Sequence, residues 1–110
     1  MKMEKFISYG KQWIDDSDIE AVINVLKSDY LTQGPAVELF EKKICSITDA
    51  KYCVAVSNAT AALHIAVKSL AIDPGREGIT SPNTFVASSN CLIYNNLKPV
   101  FADIDGVTYN

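Results

Sequence analysis

The sequence predicts an α/β protein in which two helices precede a βαβαβ unit with a parallel sheet. Three observations carry this expectation. Apolar residues recur at helical spacing in two stretches of the first half. Three short strand-like runs, the first and the last of them apolar, then alternate with two further helical patterns. A turn of small hydroxyl and amide residues, Ser57-Asn58-Ala59-Thr60, joins the first of those runs to the helix behind it.

The elements follow in order. Residues 1–14 lack a period and read as an extended arm carrying Tyr9, Gly10 and Trp13. Ser17, with Glu20 three residues on, reads as a capping box. Ile19, Val22, Ile23 and Leu26 then give a helix over about residues 16–28. Leu31-Thr32-Gln33-Gly34-Pro35 breaks that pattern. Pro35 suits the first turn of a second helix, about 36–48, whose apolar face is Val37, Phe40, Ile44 and Ile47. The first strand is expected at about 52–56 and its helix at about 59–71, closed by Asp73-Pro74-Gly75. A second strand is expected at about 77–81, a helix at about 84–95 with Val86, Ala87, Cys91, Leu92 and Tyr94 as packing candidates, and a third strand at about 99–104. Parallel strands joined this way need right-handed crossovers.

A parallel sheet is normally covered on both faces and has more than three strands. The expectation is therefore the N-terminal part of a longer protein. Residues 1–50 would be an arm and two helices, and residues 51–110 the start of a larger, incomplete domain.

Composition narrows the function. With 48% hydrophobic and 21% charged residues, the chain is ordinary globular sequence and not a disordered one. The net charge of −3 and the lack of a basic stripe argue against a nucleic-acid partner. No apolar run approaches the roughly 20 residues of a membrane span. Lys2, Glu4 and Lys5 are not followed by a signal-like apolar stretch, so a cytoplasmic protein without a membrane partner is expected. Cys45, Cys53 and Cys91 include no CxxC pair and read as small apolar side chains. His64 is the single histidine and reads as a packed helix residue, so neither a metal site nor a Ser-His-Asp triad is expected.

The Ser57–Thr60 turn has two readings. Asn58 or Ser57 suits a helix N-cap, and taken alone that is the simpler reading. The free N–H groups of a helix start also suit a phosphate. No Gly-rich loop or following lysine marks a nucleotide P-loop, so the phosphorylated guest would be smaller than a nucleoside triphosphate.

Five segments stand in one order: Tyr9-Gly10-Lys11-Gln12, Leu31-Thr32-Gln33-Gly34-Pro35, Ser57-Asn58-Ala59-Thr60-Ala61-Ala62-Leu63, Pro82-Asn83-Thr84-Phe85-Val86-Ala87-Ser88 and Pro99-Val100-Phe101-Ala102-Asp103-Ile104. Each alone is weak. Together they resemble the start of the DegT/DnrJ/EryC1/StrS family of pyridoxal-phosphate (PLP) sugar aminotransferases, across essentially the whole chain. The resemblance implies the large domain of a type I PLP-dependent transferase fold and a homodimer with the cofactor between subunits. It implies transfer of an amino group, usually from glutamate, to a keto group on a nucleotide-linked sugar, for surface polysaccharide or glycan synthesis.

Carried onto this sequence, the resemblance gives the PLP phosphate to Thr60, through backbone and hydroxyl, and to the Ala61 N–H. Phe85 would stack on the pyridine ring, although periodicity alone reads it as a core aromatic. Thr32 and Gly34 would lie near the active-site mouth, with Tyr9 reaching the same region. The Schiff-base lysine and the acid that pairs with the ring nitrogen belong downstream, so no catalytic residue is expected in this chain. Lys51 and Lys68 do not stand in the family's lysine motif. One departure is Gly75-Arg76-Glu77-Gly78-Ile79, where the family commonly has an acidic pair, and where Gly78 should weaken the strand.

Two alternatives remain. One is a PLP-dependent sugar dehydratase of the same family. The other is a non-catalytic α/β module that grips a phosphate; a ribose-binding version would need an acid after the second strand, where Pro82-Asn83-Thr84-Phe85 offers none.

Overall fold

A computed structural model describes residue 8 and residues 10–109. The chain divides into two units, Met1–Ala55 and Val56–Asn110.

The first unit holds α1 (Asp16–Leu26) and α2 (Pro35–Thr48). The cap of α1 is not the predicted Ser17–Glu20 pair. Asp15 Oδ1 accepts from the Ser17 and Asp18 N–H groups at 2.9 and 3.2 Å, and Asp18 Oδ2 accepts from the Asp15 N–H at 3.1 Å. Two aspartates, Asp15 and Asp18, fill the two roles of the capping box, two residues earlier than expected. The Ser17 hydroxyl donates to the same Asp15 oxygen at 2.6 Å. These bonds hold the Asp15 carboxyl below its ordinary value of 3.8, the Ser17 hydroxyl first among them.

The turn into α2 is tight. Gln33 adopts a left-handed backbone, φ 50°. Gly34 is the N-cap, and a Cβ there would lie 2.7 Å from Tyr30 Cβ, so only glycine lets the chain fold back over Tyr30. Pro35 opens the helix, as expected. The end of α1 and the start of α2 enclose a cleft of about 220 Å³ between Val25, Ser28, Tyr30, Pro35 and Leu39. The apolar stripes read from the sequence are present but uncovered: Ile19, Val22 and Leu26 on α1, and Val37, Phe40 and Ile47 on α2, are exposed.

The predicted strand at 52–56 is not part of a sheet. The described residues form one two-stranded sheet, β1 (Glu77–Thr80) with β2 (Lys98–Phe101), so the expected three-stranded arrangement is corrected to two. A strand needs a ladder partner, and 52–56 has none among the described residues. Its residues still alternate, with Cys53 and Ala55 more covered than Tyr52 and Val54. Its Ala55 N–H is taken by the Glu41 carboxylate at 2.7 Å.

The second unit follows α3 (Ala59–Ser69), β1, α4 (Ala87–Ile93) and β2. The strands are parallel, with Gly78 opposite Pro99 and Ile79 opposite Val100. The Lys98 N–H donates to Arg76 O at 2.8 Å and the Ala102 N–H to Thr80 O at 3.1 Å. Alternate N–H groups of a strand point the same way, so Pro99, which has none, faces away from β1.

Helix α4 packs on both strands, and α3 packs on α4. Ala87, Cys91 and Leu97 are buried, whereas Val86 and Tyr94, two of the predicted packing residues, are exposed. Gly78 has a specific role. A Cβ at this position would come within 2.5 Å of Leu92 Cδ2 and 3.1 Å of its Cγ, so the missing side chain lets α4 settle on β1. The His64 ring lies 5.4 Å from that of Tyr94, tilted by 56°, which joins α3 to α4 and agrees with a packed histidine.

Two outcomes follow. Gly78→Ala should destabilise the protein by about 1–3 kcal/mol through overpacking against Leu92. Urea unfolding measures this, and Leu92→Ala in the same chain should recover part of the loss. The stabilising contribution of Asp15 is complete above its ordinary value of 3.8 and is lost as pH falls through the lower folded-state value. Asp15→Ala should therefore reduce helix content at neutral pH and narrow the difference from wild type in strong acid, read by far-UV circular dichroism.

Candidate functional site

The turn before α3 is built by its cap. Asn58 is extended, φ −166° and ψ 167°, and its Oδ1 accepts from the Ala61 N–H at 2.9 Å. Its amide nitrogen donates to Ser57 Oγ at 3.2 Å. The Ala62 N–H begins the helical ladder on Asn58 O at 3.1 Å. The N–H groups of Ala59 and Thr60 have no intrahelical acceptor, because the ladder starts beyond them. The first turn carries no acidic residue and the last turn carries Lys68, so nothing in the helix offsets its positive end locally. Thr60 and Ala61 sit half-buried in that turn.

Phe85 lies on the loop that leaves β1 and enters α4. Ser81 Oγ accepts from the Asn83 N–H at 3.1 Å, and the Thr84 and Ser88 hydroxyls are 3.1 Å apart. The Ser88 N–H donates to Phe85 O at 3.0 Å. These bonds tie the loop to the start of α4. Phe85 itself is 73% exposed, so it is not the core aromatic that periodicity suggested.

In the first unit, a cleft of about 470 Å³ is lined by Tyr30, Gln33, Gly34, Pro35, Val37, Glu38 and Glu41. Gly34 lies on its wall; Thr32, one of the two residues expected here, is outside the lining. Tyr9 lies outside the described residues. Glu38 pairs with Lys42 at 2.6 Å, and that hydrogen bond and charge hold its carboxyl below the ordinary range. Glu41 reaches the Ala55 N–H. Cys45 and Cys53 share a neighbouring cleft of about 300 Å³ with Glu41, Lys51 and Tyr52. Burial, followed by Cys45 and Glu41, pushes the Cys53 thiol up. It stays protonated at neutral pH and is a poor nucleophile. No group of three His, Cys, Asp or Glu side chains suited to a metal occurs among the described residues. None of the described helices is long and apolar enough to cross a membrane.

Sequence reasoning missed Glu41 and Asn95. Both bond to backbone groups distant in sequence, and no local pattern marks such a bond. Asn95 Nδ2 donates to Cys91 O at 2.7 Å and to His64 O at 3.2 Å.

Comparison with known proteins identifies the family. The sequence model of the DegT/DnrJ/EryC1/StrS aminotransferase family matches residues 12–110. The chain is 43% identical over 109 residues to the spore coat polysaccharide biosynthesis protein SpsC of Bacillus subtilis (strain 168), covering 99% of this chain and 28% of that protein. It is similar to Helicobacter pylori PseC, an aminotransferase involved in the biosynthesis of pseudoaminic acid, with a TM-score of 0.83 and 36% identity over 92% of this chain and 28% of that one. It is also similar to the E. coli GDP-4-keto-6-deoxy-D-mannose-3-dehydratase, solved with hydrated PLP, with a TM-score of 0.82 and 27% identity over 92% of this chain and 27% of that one. The chain thus spans little more than a quarter of the length of these relatives. The match runs from residue 12 through both helices, the capped turn of α3 and the β1–β2 pair, and the chain belongs to the DegT/DnrJ/EryC1/StrS aminotransferase family.

Proposed function

We propose that this chain is the N-terminal part of a PLP-dependent aminotransferase that moves an amino group, from glutamate, to a nucleotide-linked keto-sugar for surface polysaccharide or glycan synthesis. The observation that carries the reading is the first turn of α3, where Thr60 sits among N–H groups with no helical acceptor. PLP would supply the electron sink for amino transfer. The residues here would bind and orient it.

The fit to PLP rests on three features. Thr60 would donate its N–H and hydroxyl to the phosphate, at the positive end of a helix without first-turn acids. The Ala61 N–H is held by Asn58, so its part in phosphate binding would require Asn58 Oδ1 to give way. Phe85, exposed at the start of α4, would offer its face to the pyridine ring. In the first unit, Gly34 and Thr32 would border the substrate mouth, and Tyr9 would join them. The carboxylates of Glu38 and Glu41 beside Gly34 suit sugar hydroxyls better than a diphosphate, which like charge would repel.

The proposal extends to a cytoplasmic homodimer that uses an amino-acid donor and binds neither nucleic acid nor membrane. Within the chain, residues 1–50 would serve as arm and helices and residues 51–110 as the opening of the cofactor domain. This chain by itself would not transfer amino groups. No lysine stands in the family's matched context. Lys42 is engaged by Glu38, and Lys51 lies 5.1 Å from the centre of the Tyr52 ring. A catalytic lysine needs a depressed pKa from burial or a neighbouring cation. The second reading is a sugar dehydratase of the same family, since the E. coli dehydratase shares this fold at a TM-score of 0.82. The two readings differ in the lysine that would join the cofactor, which this chain does not identify.

Titration with pyridoxine 5′-phosphate, which lacks the reactive aldehyde, tests the cofactor site. Wild type should bind it, and Phe85→Ala should weaken binding by about 0.5–1.5 kcal/mol beyond the lost area. Equal binding by the two proteins would remove Phe85 from the site. Treatment with PLP and borohydride should leave no stoichiometric label on any one lysine, and glutamate with a nucleotide keto-sugar should give no amino sugar. A single labelled lysine with amino transfer would overturn the reading of the chain as incomplete. Asn58→Ala should cost about 1 kcal/mol of stability as a lost cap. Its affinity for pyridoxine 5′-phosphate should hold or rise, because the Ala61 N–H is released. A clear fall in affinity would mean that Asn58 itself holds the ligand.

A further inference from the structure

Asn95 stands just beyond α4, and its side chain touches two helices. The amide nitrogen donates to Cys91 O of α4 at 2.7 Å and to His64 O of α3 at 3.2 Å. Both neighbours are acceptors, so the nitrogen must face them and the amide cannot be turned over. Its Oδ1 is thereby directed elsewhere, and it is buried without a hydrogen-bond partner. A buried unpaired acceptor is unfavourable. Asn95 accepts that cost while spending both donors on joining α3 to α4.

Those helices carry the two halves of the proposed cofactor grip. His64 lies one turn along α3 from Thr60, so a bond to its carbonyl fixes the first turn through a stiff rod. Phe85 is fixed to the other rod: Ser88 N–H donates to Phe85 O at 3.0 Å, and the Thr84 and Ser88 hydroxyls are 3.1 Å apart. The His64–Tyr94 ring contact at 5.4 Å is the second link between the rods. Leu97 is buried and lines one cleft with Asn95 and Val67. The tilted ring contact is less directional than a hydrogen bond. The amide, with two directed bonds, sets the spacing.

We infer that Asn95 is a positioning residue, which holds the phosphate donors of α3 at the distance from Phe85 that lets one ligand engage both. The inference rests on the cofactor reading above. A ligand held at two points gains over its halves only while the spacing matches. Loosening the joint therefore weakens the linked ligand and spares each half, which a general loss of stability would not do.

The test uses the 110-residue chain, Asn95→Leu and three probes: pyridoxine 5′-phosphate, pyridoxine and inorganic phosphate, each titrated by calorimetry. Leucine is close in size, removes both donors and removes the unpaired oxygen. Wild type should prefer pyridoxine 5′-phosphate to either half by about tenfold or more. Asn95→Leu should lose about fivefold or more of that affinity, with phosphate and pyridoxine affinities unchanged. Full retention of pyridoxine 5′-phosphate binding would overturn the proposal. So would an equal loss for phosphate alone, because Asn95 would then support α3 and not the spacing. If wild type shows no preference for the linked ligand, the cofactor reading itself fails, which is a separate outcome. Should Asn95→Leu fail to fold by circular dichroism, Asn95→Gln keeps the donors on a longer arm and is read by the same probes and outcomes.

Discussion

The close approach of α4 to β1 is the contact on which the second unit depends. Leu92 occupies space that any side chain at position 78 would claim, with its Cδ2 only 2.5 Å from where a Cβ would be. Ala87, Cys91 and Leu97 complete the buried cluster. Because α4 sits down on the strands, α3 can pack against α4. The loop with Phe85 and the turn with Thr60 are then both anchored to the same small core. A glycine that weakens a strand by its backbone freedom here permits the layer that the strand needs.

Much of this was legible in the sequence. Pro35 marked the start of α2, Asn58 marked the start of α3, and the apolar run from Pro99 marked β2, because each signal is local. Gly78 was read as a residue that weakens its strand, and the packing purpose it serves was not readable. That purpose lies in Leu92, fourteen residues away, and periodicity does not report which side chain lands on which. The capping box was displaced by two residues for a simpler reason. Asp15 and Ser17 both suit an N-cap, and the choice depends on which oxygen meets the free N–H groups.

The segment 52–56 shows a different limit. Its alternation is that of a strand, and the structure preserves the alternation. Pairing is a property of two segments, and a single run of sequence states only one of them. The same applies to the stripes of α1 and α2. Their periodicity indicates which face seeks cover, and leaves open what covers it. The residues proposed for the site, and those that bond across the fold, divide along the same line. Thr60, Ala61 and Phe85 stand in motifs, whereas Glu41 and Asn95 act on backbone atoms that the fold alone brings near.

Pro99 gives the small sheet a direction. The outer side of β2 presents one N–H fewer than a full ladder requires, since Lys98 and Ala102 spend theirs on β1 and Pro99 has none to offer. A strand arriving on that side would meet a gap in its hydrogen bonding. The free side of β1 carries no such gap. Growth of the sheet is therefore one-sided, with β2 as its terminus, and the same proline guards that rim against adventitious pairing with another chain.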